Sequence, residues 1–134
     1  MVNNKVKKTT KWLLDVFNDI QKCNSDKARA DKITLVTKGL INIMNISRER
    51  AVNVKQFHEN LLEALNHCSE YLYKEFTRAD LTGAAKLKMR FTVNETEDEE
   101  GTTNAIKVVY GYGLNIKSIT IDTTRAFNEE NYRG

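Results

Sequence analysis

Residues 54–93 read VKQFHENLLEALNHCSEYLYKEFTRADLTGAAKLKMRFTV, and the hydrophobic rhythm changes within them. Val54, Phe57, Leu61, Leu65, Cys68, Leu72 and Phe76 recur every three or four positions, which lines one face of a helix. Leu87, Met89, Phe91 and Val93 recur every second position, which lines one face of a strand. The switch from helix to sheet falls near Leu81-Thr82-Gly83. The spacing therefore predicts an α+β fold: three N-terminal helices, the third long, followed by a three-stranded antiparallel β-meander. One domain spans residues 1–134, with a helical half over about 1–80, a small sheet over about 85–122 and a polar tail over 123–134.

Upstream of this stretch, a first helix is expected from Lys5 to Lys22. Its apolar face is Val6, Trp12, Leu13, Val16, Phe17, Ile20 and Cys23, and its opposite face carries Lys7, Lys8, Lys11 and Lys22. Asn24-Ser25-Asp26 supplies a turn and an N-cap for a second helix over Asp26 to Asn45. That helix is apolar over half its circumference through Ala30, Ile33, Val36, Leu40, Ile41, Ile43 and Met44, so it is expected to be sandwiched. Gly39 within it costs about 1 kcal/mol relative to Ala, which points to a neighbouring backbone passing close. Ser47 is the expected N-cap of the third helix, which would then run to Phe76 and measure roughly 45 Å. Its alternating steps of three and four resemble a coiled-coil seam. It is therefore expected either to form an antiparallel hairpin with the second helix and overhang it, or to pair with a second copy, with Val54, Phe57, Leu61, Leu65 and Leu72 as the oligomer interface.

Downstream, strands are expected over Lys86–Asn94, Asn104–Tyr112 and Asn115–Asp122, the first two joined by the acidic turn Glu95-Thr-Glu-Asp-Glu-Glu-Gly101. Pairing Leu87 with Tyr112, Met89 with Tyr110, Phe91 with Val108 and Val93 with Ile106 sets every apolar residue of one strand opposite one of the next. Leu114 and Ile116 fit the core face less well than Ile119 and Ile121, which predicts a bulge in the third strand. Phe127 and Tyr132 are the only apolar anchors in the tail.

Composition excludes several classes of function. A hydrophobic fraction of 40% and a charged fraction of 29% are those of a globular chain. The net charge of +3 is too small to demand a polyanionic partner, so any such argument rests on where the charges sit. No apolar stretch is long enough to span a bilayer, and the start Met1-Val-Asn-Asn-Lys5 lacks the apolar run of a secretory leader. Cys23 and Cys68 are too few for a disulfide framework and read as small buried hydrophobes in a reducing, cytoplasmic setting. Fourteen Asn and a bias of fourteen Lys to seven Arg suggest an A-rich coding sequence, as in a low-GC bacterium or its phage.

Catalytic chemistry finds no constellation. His58 and Cys68 are ten residues apart on one helix, about 15 Å, so they cannot share an ion, and neither metal nor cofactor is expected. His58 reads as a histidine bonded to a backbone group. The acidic turn lacks the ligand spacing of a calcium loop. Gly111-Tyr112-Gly113 precedes a strand instead of a helix, so it reads as a turn and not a phosphate cradle. Tyr110 and Tyr112 belong to the core face, packed on the third helix, while Tyr71 and Tyr73 flank its seam at the rim of a subunit contact.

Basic surface remains. The hairpin face opposite the core presents Lys86, Lys88, Arg90 and Lys107, and Lys7, Lys8 and Lys11 form a strip on the first helix. Regularly spaced cations on an exposed sheet face can follow a phosphate backbone. No aromatic residue interleaves them, which argues against base stacking there. The expectation is a non-catalytic, cytoplasmic, homo-oligomeric regulatory protein, phage-encoded, that binds nucleic acid through those seven cations. The alternative is an adaptor or inhibitor that engages a host or assembly protein through its third helix or tail, or a small-ligand-binding protein using His58 and the tyrosine hydroxyls.

Overall fold

A computed structural model describes residues 2–79, 81–98 and 101–128. The helices are α1 (Asn4–Lys22), α2 (Asp26–Glu49), α3 (Val54–Ala79), α4 (Leu81–Lys86) and α5 (Thr123–Asn128). The strands are β1 (Leu87–Asp98), β2 (Gly101–Tyr112) and β3 (Asn115–Asp122), in sheet order β1-β2-β3. The α+β class, the long third helix and the antiparallel meander are as the spacing predicts.

Side-chain caps set the helix starts. The Asn3 carboxamide accepts the Lys5 N–H at 2.6 Å, and Ser25 Oγ accepts the Ala28 N–H at 3.1 Å. The third helix does not begin at Ser47. That residue lies inside α2, buried, with its hydroxyl donating to the Ile43 carbonyl at 2.9 Å, a bond that keeps serine satisfied mid-helix. The start is set instead by Asn53, whose Oδ1 accepts the Gln56 N–H at 2.8 Å while Gln56 Oε1 accepts the Val52 N–H at 2.7 Å, a variant of the capping box. Trimmed to 26 residues, α3 is about 39 Å long. Helix also continues further than the rhythm suggests, through α4 to Lys86, because Ala84 and Ala85 are strong helix formers that outweigh Gly83.

The core lies between the helices and one face of the sheet. Leu13, Phe17 and Ile20 of α1, Ile33, Val36 and Ile43 of α2, and Leu87, Met89, Ile106, Val108, Tyr110 and Ile121 of the sheet are all buried. Phe17 meets Phe76 edge to face at 6.4 Å. Within α3, Phe57, Leu61, Leu65 and Leu72 are at most 1% exposed in a single copy, while Val54 is half-buried at the helix start. The seam assigned to a second copy is thus consumed by the chain's own core. The sheet and α5 supply the cover that α1 and α2 alone lack.

The β1–β2 register is the predicted one, from Leu87 opposite Tyr112 to Val93 opposite Ile106, and it extends to Asp98 opposite Gly101. The expected acidic turn is therefore mostly strand, and Glu99-Glu100 lie outside the described residues. The β2–β3 ladder runs without a break from Ala105–Asp122 to Tyr112–Asn115, so there is no bulge. Ile116 simply points to the other face, 43% exposed, and Leu114 stands 99% exposed in the two-residue loop. Gly113 opens that loop at φ +62°, which glycine adopts without the Cβ clash of other residues.

The tail is partly ordered by its own anchors. Thr123 Oγ1 donates to the Asn104 carbonyl at 2.9 Å, Arg48 Nη1 donates to the Ala126 carbonyl at 3.2 Å, and Phe127 packs on Phe57 at 6.1 Å. Tyr132, the other expected anchor, lies outside the described residues.

Two outcomes follow from this packing. Leu61→Ala should lower unfolding free energy by about 2–5 kcal/mol in urea titrations, the cost of a cavity in a fully closed core. Burial also holds the Cys68 thiol up at about 11, from an ordinary 9.0, and pushes the Tyr110 phenol above its ordinary 10.0. The unfolded chain gives up both protons first, so stability should fall as pH rises from about 9 through 11, where the native state binds more protons than the unfolded one. Urea midpoints across that range should decline, and the decline should flatten in a Cys68→Ala/Tyr110→Phe double variant.

Candidate nucleic-acid interface

The pleat that buries Met89 and Val108 turns their neighbours to solvent. On that outer face stand Lys88, Arg90 and Thr92 of β1, Lys107 and Val109 of β2, and Ile116, Ser118 and Thr120 of β3. Arg90, Val109 and Ser118 form one row across the three strands, and Thr92, Lys107 and Thr120 the next. Arg90 and Lys107 are diagonal neighbours, with Lys88 two residues before Arg90, so three cations share one end of the face. The remaining side chains are mostly short.

Among the described residues, no carboxylate pairs with Lys88, Arg90 or Lys107; the ion pairs join Lys5 to Glu49, Arg29 to Asp26 and Arg78 to Glu75. Asp122, at the far end of β3, turns its carboxylate to the Arg125 N–H at 3.1 Å. Lys86 is exposed but ends α4, and its carbonyl accepts the Gly113 N–H at 2.8 Å. It is therefore not part of the strand, and the pleat does not orient it.

Lys7, Lys8 and Lys11 are exposed on α1. The core lies between the buried stripe of α1 and the inner face of the sheet, so these lysines and the sheet cations leave the molecule on different sides. They do not join into one patch.

Near the α1 strip is a feature that periodicity assigned to the core. Trp12, the only tryptophan, is 41% exposed, above a groove of about 410 Å³ lined by Lys8, Thr9, Lys38, Gly39 and Asn42. A Cβ at Gly39 would lie 2.6 Å from Leu13 Cδ2 and 3.0 Å from Trp12 Cζ3. What passes close to Gly39 is thus the side chains of α1 and not a backbone. Trp12 precedes Leu13 on the rim of the α1 stripe, and its neighbours Lys8 and Lys11 were the signal that this rim is wet.

The tyrosines divide by layer. Tyr110 is buried, and its hydroxyl bonds Thr37 of α2, not a group of α3. Tyr71 stacks on His67 at 6.1 Å. Tyr73 closes part of the β1 edge: its hydroxyl donates to the Leu87 carbonyl at 3.2 Å and accepts the Met89 N–H at 3.1 Å.

His58 is half-buried on α3, and its Nδ1 is buried with no hydrogen-bond partner, so the expected backbone bond is not made. Among the described residues, no three His, Cys, Asp or Glu side chains converge as a metal site. No helix there is long and apolar enough to cross a membrane. Cys68 is buried, with the Thr10 hydroxyl 3.6 Å from its sulfur. Cys23 is only half-buried, with its thiol 3.3 Å from the Asp19 carbonyl. Comparison with protein-family models, curated proteins and solved structures finds no match to this chain.

The contrast between the two thiols is measurable. Only the thiolate is nucleophilic, so an aromatic disulfide reagent at pH 8 should titrate one cysteine in the native protein and both in denaturant. Cys23→Ser should abolish the native reaction; a rapid native reaction at Cys68 would contradict its burial.

Proposed function

We propose that the chain binds nucleic acid through the outer face of its sheet, without catalysing a reaction. One observation carries this reading: exposed Arg90 and Lys107 and half-buried Lys88 share the outer sheet face, on which no described carboxylate neutralises them. Phosphate contacts from such cations supply affinity and position the duplex or strand. Thr92 and Ser118 add hydroxyls that can donate to phosphate oxygens. Lys86 extends the patch from the end of α4. The α1 lysines form a separate surface and contribute general attraction.

Fluorescence anisotropy with labelled single- and double-stranded DNA and RNA, across a salt series, tests the reading. Each phosphate neutralised on duplex DNA contributes about −0.9 to the slope of log K against log salt, so three sheet cations give a slope near −3. Lys88→Glu/Arg90→Glu should weaken binding at least tenfold and flatten that slope. Lys7→Glu/Lys8→Glu/Lys11→Glu should do so much less. Absence of binding at low salt, or a sheet double variant that binds like the wild type, sinks the reading. The search then moves to a protein partner.

A further inference from the structure

β1 is an edge strand, and only its beginning is closed. Tyr73 bonds Leu87 and Met89 as described, and Ser69 Oγ donates to the Met89 carbonyl at 2.9 Å. These bonds also reveal the phase of the strand. Met89 turns both its N–H and its C=O away from β2, and in an antiparallel ladder that orientation repeats at every second residue. Phe91, Val93, Glu95 and Glu97 therefore direct their backbone groups outward, and no hydrogen bond within the described residues reaches those of Phe91, Val93 or Glu95. Val93 is 47% exposed. An open groove of about 550 Å³ lies alongside, lined by Tyr73, Met89, Arg90 and Phe91 among others. Soluble proteins close, charge or kink an edge of this length, because it is a template for another strand.

The order of charges along β1 names the strand that fits. Lys88 and Arg90 occupy its first half, and Glu95, Glu97 and Asp98 its second, with no charged residue between. Run antiparallel to itself about Asn94, such a strand sets Arg90 against the acidic position 98 of the other copy on the same face, while Glu95 and Glu97 lie on the opposite face. We propose that a second copy of this chain pairs its β1 with this β1, antiparallel, about a two-fold axis at Asn94. That axis sets Phe91 opposite position 97 of the partner and Val93 opposite position 95, so all four outward-facing residues of each copy find a ladder partner. An axis at Val93 would direct position 97 to Met89, which α3 already occupies. An axis at position 95 would carry Phe91 past the end of the partner's strand.

The two three-stranded sheets then become one of six strands, an isologous contact closed by symmetry. Their outer faces merge, with Arg90 committed to the seam opposite position 98 and Lys88 and Lys107 repeated around the axis for phosphate; this consequence rests on the nucleic-acid reading, whereas the pairing itself does not.

A cysteine scan tests it directly, in a Cys23→Ser background so that only buried Cys68 remains. Across a non-hydrogen-bonded antiparallel pair the Cα atoms are about 4.5 Å apart, within the range a disulfide spans. Asn94→Cys should therefore form a covalent dimer on mild oxidation. Thr92→Cys should not, because its symmetry mate is four residues away along the strand. Sedimentation equilibrium of the unmodified chain should give about twice its 15.4 kDa. Val93→Pro removes an outward N–H and none of the β1–β2 bonds, so it should give a monomer with unchanged circular dichroism. A wild type that stays monomeric at its highest soluble concentration overturns the pairing. So does a Val93→Pro variant that remains dimeric, or cross-linking as fast at position 92 as at 94. A cross-linked dimer that binds no nucleic acid defeats only the functional reading; a monomer that binds it defeats only the pairing.

Discussion

Every layer of this molecule leans on one stripe of α3. Phe57, Leu61, Leu65, Cys68, Leu72 and Phe76 are removed from water by α1 and α2 on one side, by the sheet on another and by α5 near the helix start. Each large side chain so buried contributes roughly 1.5–3 kcal/mol. The stripe meets the sheet through β1, while α1, α2 and α5 cover the inner face of β2 and β3.

The candidate interface is a by-product of that burial. Once Met89 and Phe91 are committed to the inner face, the period of two sends Lys88 and Arg90 outward. Unbroken pairing from β1 to β3 then places Lys107 beside them and short side chains beyond. No loop or special backbone geometry is needed to assemble the cations. Conversely, a slip of one residue in β1 would bury both charges and expose Met89, so the surface and the core are specified by the same alternation.

Much of this was legible from rhythm alone. The β1–β2 register followed from matching Leu87, Met89, Phe91 and Val93 to their partners, and β3 was bounded at the residues observed. Three things were not legible, each for a physical reason. Periodicity reports that a stripe is apolar but not what covers it, so the α3 seam read as an interface between copies. A serine satisfied by its own i−4 carbonyl looks, in sequence, like a cap, and Ser47 concealed the end of α2. A projection around the helix axis also places Trp12 beside Leu13 on one face, while only the close α1–α2 approach at Gly39 decides which of them stays wet. Lys88, Arg90 and Lys107 lie on the sheet face expected of them, Lys86 instead ends α4, and the separation of the α1 strip from them needed the third dimension.

The topology has a kinetic side. Consecutive helices pack on one another, and each strand pairs only with its neighbour in sequence, so loop closure within each layer is short. The distant contacts are of two kinds: Thr10 with Cys68 closes α1 on α3 inside the helical layer, and Thr37 with Tyr110 docks the sheet on α2. Chains dominated by local contacts fold quickly, since little entropy is lost before contacts repay it. The meander closes through strands adjacent in sequence, and the contacts that span the most chain are left to the docking of helix on helix and of sheet on helices.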